Sequence, residues 1–319
     1  MSLSVARDTA ETEVHQEQAI SRITLVRKRH WGEIVGSILV VVIGALIIRA
    51  IVVNKNMQWH VVWSYFGSHE ILTALLVTLE LSLLSQAIAI VLGIFLAAMG
   101  QARNPVMRVA QQGYIWLFRG TPLLVQLLFW YNLALLFPNL SLGIPFTHLY
   151  FFHESTNTII TGFVASILGL ALNEGAYMAE IVRSGILAVP KGQLDAGSSL
   201  GMRRRRVFRK IVLPQAVRVM IPPTGNQFIG LLKASSLVSV IGGGDLLTRV
   251  EYIYGQNFLV IPLLLVASIW YLVLTSLATV GQHFLERALD VEKRGPRTTR
   301  LRSRWWRNLR PGREGVSYG

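Results

Sequence analysis

The sequence predicts an all-α integral membrane protein with six transmembrane helices, and three observations predict it. Of 319 residues, 52% are hydrophobic and only 15% charged, with a mean hydropathy of +0.47; a soluble domain carries about 25% charged residues. The charges sit in islands between apolar runs long enough to cross a hydrocarbon core. Finally, 27 of the 31 Lys and Arg fall within residues 1–30, 100–119, 183–218 and 281–319. Those segments share one side of a six-span chain, and the positive-inside bias makes that side the cytoplasm, both termini included.

The first thirty residues are polar and read as a cytoplasmic tail ending in Arg27-Lys28-Arg29. The run Ile34–Val53 follows, interrupted only by Arg49. It exceeds the 7–15 apolar residues of a signal peptide, so 31–53 is expected to remain as a membrane helix. Arg49 lies near its far end, where the long side chain reaches the interface. Ile71–Met99 is the second span, with Glu80 its only charge, and Gln101–Pro105 a short basic turn. The third is expected from Tyr114 to Phe137, with Thr121 capping the helix proper and Pro122 in its first turn. The fourth runs from Thr158 to Ile186 and carries Glu174, Glu180 and Arg183. Ile221–Ile241 is the fifth, the least apolar because Asn226, Gln227 and Lys233 interrupt it, and Val260–Val280 the sixth. Gly242-Gly243-Gly244-Asp245 reads as a flexible external turn.

Several chemistries are excluded. With no cysteine there is no disulfide, thiol nucleophile or cysteine metal site. No Gly-x4-Gly-Lys-Ser/Thr phosphate loop occurs, so the chain binds no ATP through one. His148, His153 and Glu154 share a loop without metal-ligand spacing. No catalytic constellation is recognisable, and the chain reads as a non-enzyme without a bound metal or cofactor. The net charge of +14 reflects loops and tails beside apolar runs, including Arg203–Arg206 with Arg209 and Lys210, which argues against nucleic acid and for the bilayer surface or contact with a partner protein. The tail from Lys293, with nine basic residues and Trp305-Trp306, suits either anionic headgroups or solvent.

Between the fourth and fifth spans lies the most distinctive stretch. Asp195-Ala196-Gly197 is followed after three residues by Gly201, after nine more by Ile211, and then by Leu213-Pro214. Small residues let a helix lie close in a groove of another protein. Gly201 suits a left-handed C-cap, and Pro214 is expected to turn the chain back toward the membrane. This pattern resembles the cytoplasmic signature loop of bacterial ABC importer permeases, with Asp195 in place of the usual Glu and Gly197 in place of an Ala. Phe118-Arg119-Gly120-Thr121-Pro122-Leu123-Leu124-Val125-Gln126 is similar to a motif of their polar amino acid branch. So are Ala176–Ile186, which continues through Val189–Gln193, and Asn226–Ile229 with Leu232–Leu237, although Ala234 and Ser235 stand where an acidic residue and Thr are usual. Arg119 reads equally as an interfacial anchor.

The resemblance covers about residues 70–290, a five-helix permease core to which 31–53 adds an N-terminal helix and 291–319 a basic tail. It implies a loop, about 190–214, that couples to separate ABC ATPase subunits, which would use ATP and Mg. It further implies a second permease copy or paralogue, an extracytoplasmic amino-acid-binding protein, and a place in the bacterial inner membrane. For the solute pathway the candidates are Glu174, Asn173 and Tyr177, because ionisable groups inside a membrane are costly and commonly functional. Glu80 and Lys233 are the other charges expected inside, and mutual pairing of buried charges is the competing account. An ion-coupled secondary transporter of small polar solutes, and a membrane scaffold without transport, remain alternatives.

Overall fold

The structure is a computed structural model that describes residues 31–143 and 150–289. The two polar tails and His148 lie outside the described residues. The described residues divide into two units between Met57 and Gln58.

In the first unit, α1 (Trp31–Val53) is apolar on every face, with none of Val35–Val53 buried in the protein, as befits a helix whose surroundings are lipid. A 3-10 turn, Lys55–Met57, ends the unit.

The second unit begins with the short α2 (Trp59–Phe66), which buries Val61 and Val62. Ser68 then caps α3 (His69–Gly100) by accepting from the Ile71 N–H, and Glu70 lies in its first turn, where a carboxylate suits the helix dipole. Next come α4 (Pro105–Gly120) and α5 (Leu123–Tyr131). A two-stranded antiparallel hairpin, β1 (Asn139–Gly143) and β2 (Tyr150–Ser155), follows, with Leu140 opposite Glu154 and Ser141 opposite His153. Then come α6 (Gly162–Leu187), α7 (Lys191–Ser199), the long α8 (Arg204–Ile241), α9 (Leu246–Asn257) and α10 (Val260–Leu289).

Close helix packing rests on small residues, the means available where lipid tails are as apolar as leucine. A Cβ placed on Gly93 of α3 would lie 2.5 Å from Met178 Cβ of α6, and one on Gly175 would lie 2.7 Å from Leu92 Cδ2. Three apolar clusters result. Val62, Ile71, Leu246, Val250, Leu263 and Val266 join α2 and α3 to α9 and α10. Leu81, Leu127, Leu170, Leu231 and Val238 join α3, α5, α6 and α8. Val189, Val212 and Ala216 form a smaller one beside α7.

The fold is predominantly helical, as predicted. Among the described residues four helices are long and apolar enough to cross a membrane, and a fifth span results if α8 and α9, bent by 44° at their break, cross as one. The expected third span departs from prediction. Instead of one helix over Tyr114–Phe137, the chain forms α4 and α5 separated at Thr121-Pro122. Proline has no N–H and pushes its predecessor out of the helical region, and Thr121 is accordingly extended at φ −112°, ψ 144°. Pro122 itself occupies the N-cap of α5; Thr121 does not cap that helix. The fourth helix starts at Gly162 rather than Thr158, because Thr156–Ile159 forms a separate turn and Thr161 provides the cap.

Pro214 does not redirect the chain. A π-helical turn, Phe208–Val212, leads straight into Leu213–Ala234, where a proline in the first turn needs no N–H. The glycine turn is not flexible but tightly built. A Cβ on Gly243 would meet Val238 Cγ1 at 2.0 Å and Ser166 Oγ at 2.4 Å. Asp245 beside it is buried and accepts from the Leu247 and Thr248 N–H groups, both at 3.1 Å, and from the Tyr271 hydroxyl at 3.1 Å.

Candidate functional site

The signature residues gather at one end of α6 and α8. Gly201 adopts φ +72°. Its N–H donates to the Ser198 carbonyl at 3.0 Å, and the Met202 N–H to the Gly197 carbonyl at 3.1 Å. This pair of bonds is the Schellman closure, satisfying carbonyls that the helix end would leave unpaired. Gly197 is the buried residue of α7, and a Cβ there would lie 3.0 Å from Ile211 Cδ1 and 3.1 Å from Val207 Cγ2. The absence of a side chain at Gly197 thus seats α7 against the first turns of α8. Gln215 adds a clasp, donating to Gln193 Oε1 at 2.5 Å and to the Ile211 carbonyl at 2.8 Å. Leu213 and Pro214 stay exposed, and so do Asp195, Ala196, Ser198 and Ser199 on the outer side of α7. The Glu180–Arg183 pair forms as expected, 2.7 Å apart on one face of α6.

Asn173 and Tyr177, one turn apart, face the break between α4 and α5. Asn173 donates to the Phe118 carbonyl at 2.9 Å and to Gln126 Oε1 at 3.2 Å. Gln126, itself buried, donates to the Phe118 carbonyl and to Thr121 Oγ1 at 2.9 and 2.7 Å. The Thr121 hydroxyl in turn donates to the Leu117 carbonyl at 2.8 Å. The Tyr114 hydroxyl reaches across to the Leu172 carbonyl of α6 at 2.8 Å. Arg119 lies over the Tyr177 ring, 5.0 Å from its centroid. Within this network Asn173 and Gln126 supply partners to the Phe118 carbonyl, which Pro122 leaves without a helical donor, a requirement wherever water is scarce.

Glu174 lies on a neighbouring face, in line with Leu170 and Met178. Met178 meets Gly93 of α3 and receives a hydrogen bond to its sulfur from Gln86 at 3.5 Å. Glu174 is 6% exposed. Among the described residues its Oε1, Gln86 Oε1 and Ser85 Oγ are buried without hydrogen-bond partners. Glu80 and Lys233, expected inside, instead point outward from the chain. Of the three intramembrane charges considered, only Glu174 is enclosed by this chain alone. Among the described residues no group of His, Asp and Glu could hold a metal ion.

A family described as binding-protein-dependent transport system inner membrane component matches residues 89–291. The chain belongs to this family. It is therefore a multi-pass membrane protein built as a transport permease. Its relatives in the family include the arginine transport system permease protein of Corynebacterium glutamicum, 42% identical over 86% of this chain and 84% of that one. A probable amino-acid permease protein of Bacillus subtilis is 36% identical over 74% of this chain and 97% of its own length. Among solved structures, a chain from an amino acid ABC transporter with histidines matches with TM-score 0.58 and 35% identity, over 69% of this chain and 94% of that one. A chain of the MetNI methionine ABC transporter in an inward-facing conformation has TM-score 0.53 at 18% identity, a likeness of fold.

Within this permease, Gln126, Tyr114 and Asp245 were not apparent from sequence. Gln126 stood at the end of a quoted motif, but its role depends on the kink at Pro122. Asp245 was visible only as the last residue of a glycine turn, and its bond from Tyr271 of α10 comes from a residue 26 positions away in sequence.

Proposed function

We propose that this chain is the permease subunit of an ATP-driven amino acid importer. It forms the solute pathway with a second permease chain, receives solute from an extracytoplasmic binding protein, and couples through α7 to separate ATPase subunits that use ATP and Mg. Both termini and α7 lie in the cytoplasm of a bacterial cell, with the chain in the inner membrane. The supporting observation is α7 itself, a short helix held by Gly197 and Gly201 while Asp195, Ala196, Ser198 and Ser199 remain exposed. Small exposed residues on a braced helix suit insertion into a groove, so a push from a partner passes directly to α6 and α8. Amino acids are the proposed solute class because the relatives and the structural neighbour carry those names.

The outward orientation of Glu80 and Lys233 weighs against a secondary transporter, which would have used them with Glu174 as coupling groups. Pull-down of the tagged chain in gentle detergent, with identification of bound proteins, tests the reading. A stoichiometric ATPase bearing a phosphate loop is expected. Uptake driven by a proton or sodium gradient without such a partner overturns it.

A further inference from the structure

A basic cavity and an apolar groove both take lining residues from the π-helical turn Phe208–Val212 of α8. Arg203, Arg205, Arg206, Arg209 and Lys210 line a cavity of about 320 Å³. None of these side chains is ion-paired or hydrogen-bonded among the described residues. Five clustered cations repel one another, and nothing described in the chain offsets that repulsion. Next to them, a groove of about 480 Å³ opens between α3, α6 and α8, lined by Ile94, Ala98, Val182, Phe208, Leu213 and Val217 among others. Phe208 of the groove and Arg209 of the basic cavity are adjacent in the π turn, so one turn contributes to both linings. Ile94, Phe208, Leu213 and Val217 are all exposed on this chain.

We infer that this pair of sites binds one anionic phospholipid, with the headgroup phosphate among Arg205, Arg206, Arg209 and Lys210 and an acyl chain along the groove. Charge complementarity selects the headgroup, and an exposed apolar groove that draws on the same turn of α8 favours a lipid over an acidic protein surface. The cationic end lies at the boundary of a membrane-spanning helix, where basic pockets meet headgroups. The inference requires that the chain spans a membrane and that Arg205, Arg206, Arg209 and Lys210 face lipid rather than the partner proposed for α7.

Native mass spectrometry of the full chain, purified in mild detergent and offered equimolar phosphatidylglycerol and phosphatidylcholine with identical acyl chains, tests it. The wild-type chain is expected to retain phosphatidylglycerol at least about fivefold over phosphatidylcholine. R205Q/R206Q/R209Q/K210Q should lose the preference. Ala98→Phe, which fills the groove without altering charge, should lower phosphatidylglycerol retention several-fold, and it carries the test if the neutralised chain does not fold. Equal retention by the wild-type chain overturns the inference. So does undiminished preference in either variant. Loss of a copurifying protein from the neutralised chain with the lipid preference intact also overturns it, and reassigns the cations to a protein contact.

Discussion

Gly197 and Ile211 touch with no space for a side chain between them: a Cβ at 197 would stand 3.0 Å from Ile211 Cδ1, and 3.1 Å from Val207 Cγ2. Both opposing atoms are methyl ends of side chains, able to yield a few tenths of an ångström, whereas a longer side chain would have to push α7 off α8. Gly197→Ala is therefore expected to keep at least about half of the wild-type uptake. Gly197→Leu should lower it at least about tenfold, because overpacking of a tight contact costs on the order of 1–3 kcal/mol. Uptake of labelled amino acid, normalised to chain recovered in membranes, checks both. Equal uptake by the two variants would show that α7 need not sit against Ile211.

Gly201 closes the same loop through its backbone. Its φ of +72° places a non-glycine residue in the left-handed region, at a cost of about 1–2 kcal/mol. Nothing lies within 4 Å of a Cβ built there, so the effect of substitution is conformational rather than steric. Gly201→Asp should leave the chain in the membrane but abolish transport, and Gly201→Asn, which occupies left-handed backbone as Asp does but adds no charge at the end of α7, should retain several-fold more activity. Full uptake by Gly201→Asp would remove α7 as a coupling element.

Asp245 fixes the sharp passage from α8 to α9. Its carboxylate accepts from Leu247 N, Thr248 N, the Thr248 hydroxyl and Tyr271, while the Thr78 hydroxyl accepts from the Leu246 N–H at 2.9 Å. Removing an N-cap carboxylate costs about 0.5–2 kcal/mol. Asp245→Ala should lower the thermal midpoint of the detergent-solubilised chain by about 2–4 °C. Asp245→Asn, which still accepts from the backbone, should lose less than half as much. An unchanged midpoint in Asp245→Ala would mean that the turn is held by its glycines alone.

How much of this was legible in the sequence depends on whether local chemistry decided it. Apolar length set the long helices, because a bilayer admits little else, and the C-cap at Gly201 followed from its position after a run of small residues. The break at Thr121-Pro122 was read as the start of one span, since a proline is as acceptable in a first turn as between two helices; what settles it is the donor set of Gln126 and Asn173, which comes from α5 and α6 together. The hairpin Asn139–Ser155 carries no clear alternation. Arg203–Arg206 gave the charge, but not the groove beside it, which exists only where α3, α6 and α8 converge. Asn173, Glu174 and Tyr177 looked like one site by spacing alone. At 100° per residue, however, Glu174 turns toward α3 while the other two turn toward α4 and α5.

That separation gives Glu174 a sharper test. Asn173 and Tyr177 have structural work at the α4–α5 break, so replacing Asn173 should mainly lower stability. Glu174 Oε1 and Gln86 Oε1 are both buried acceptors without donors, and an unsatisfied buried polar group costs about 1–3 kcal/mol. A solute bearing N–H donors and positive charge would relieve the unpaired Glu174 Oε1. Glu174→Gln retains the shape, removes the charge and supplies its own amide donors. It is expected to raise the KM for a cationic amino acid at least about fivefold, while a neutral amino acid, if carried, changes less than twofold and the recovered complex is intact. A loss shared equally by both solutes would point to helix packing between α3 and α6 instead, and unchanged kinetics for both would take Glu174 out of the pathway.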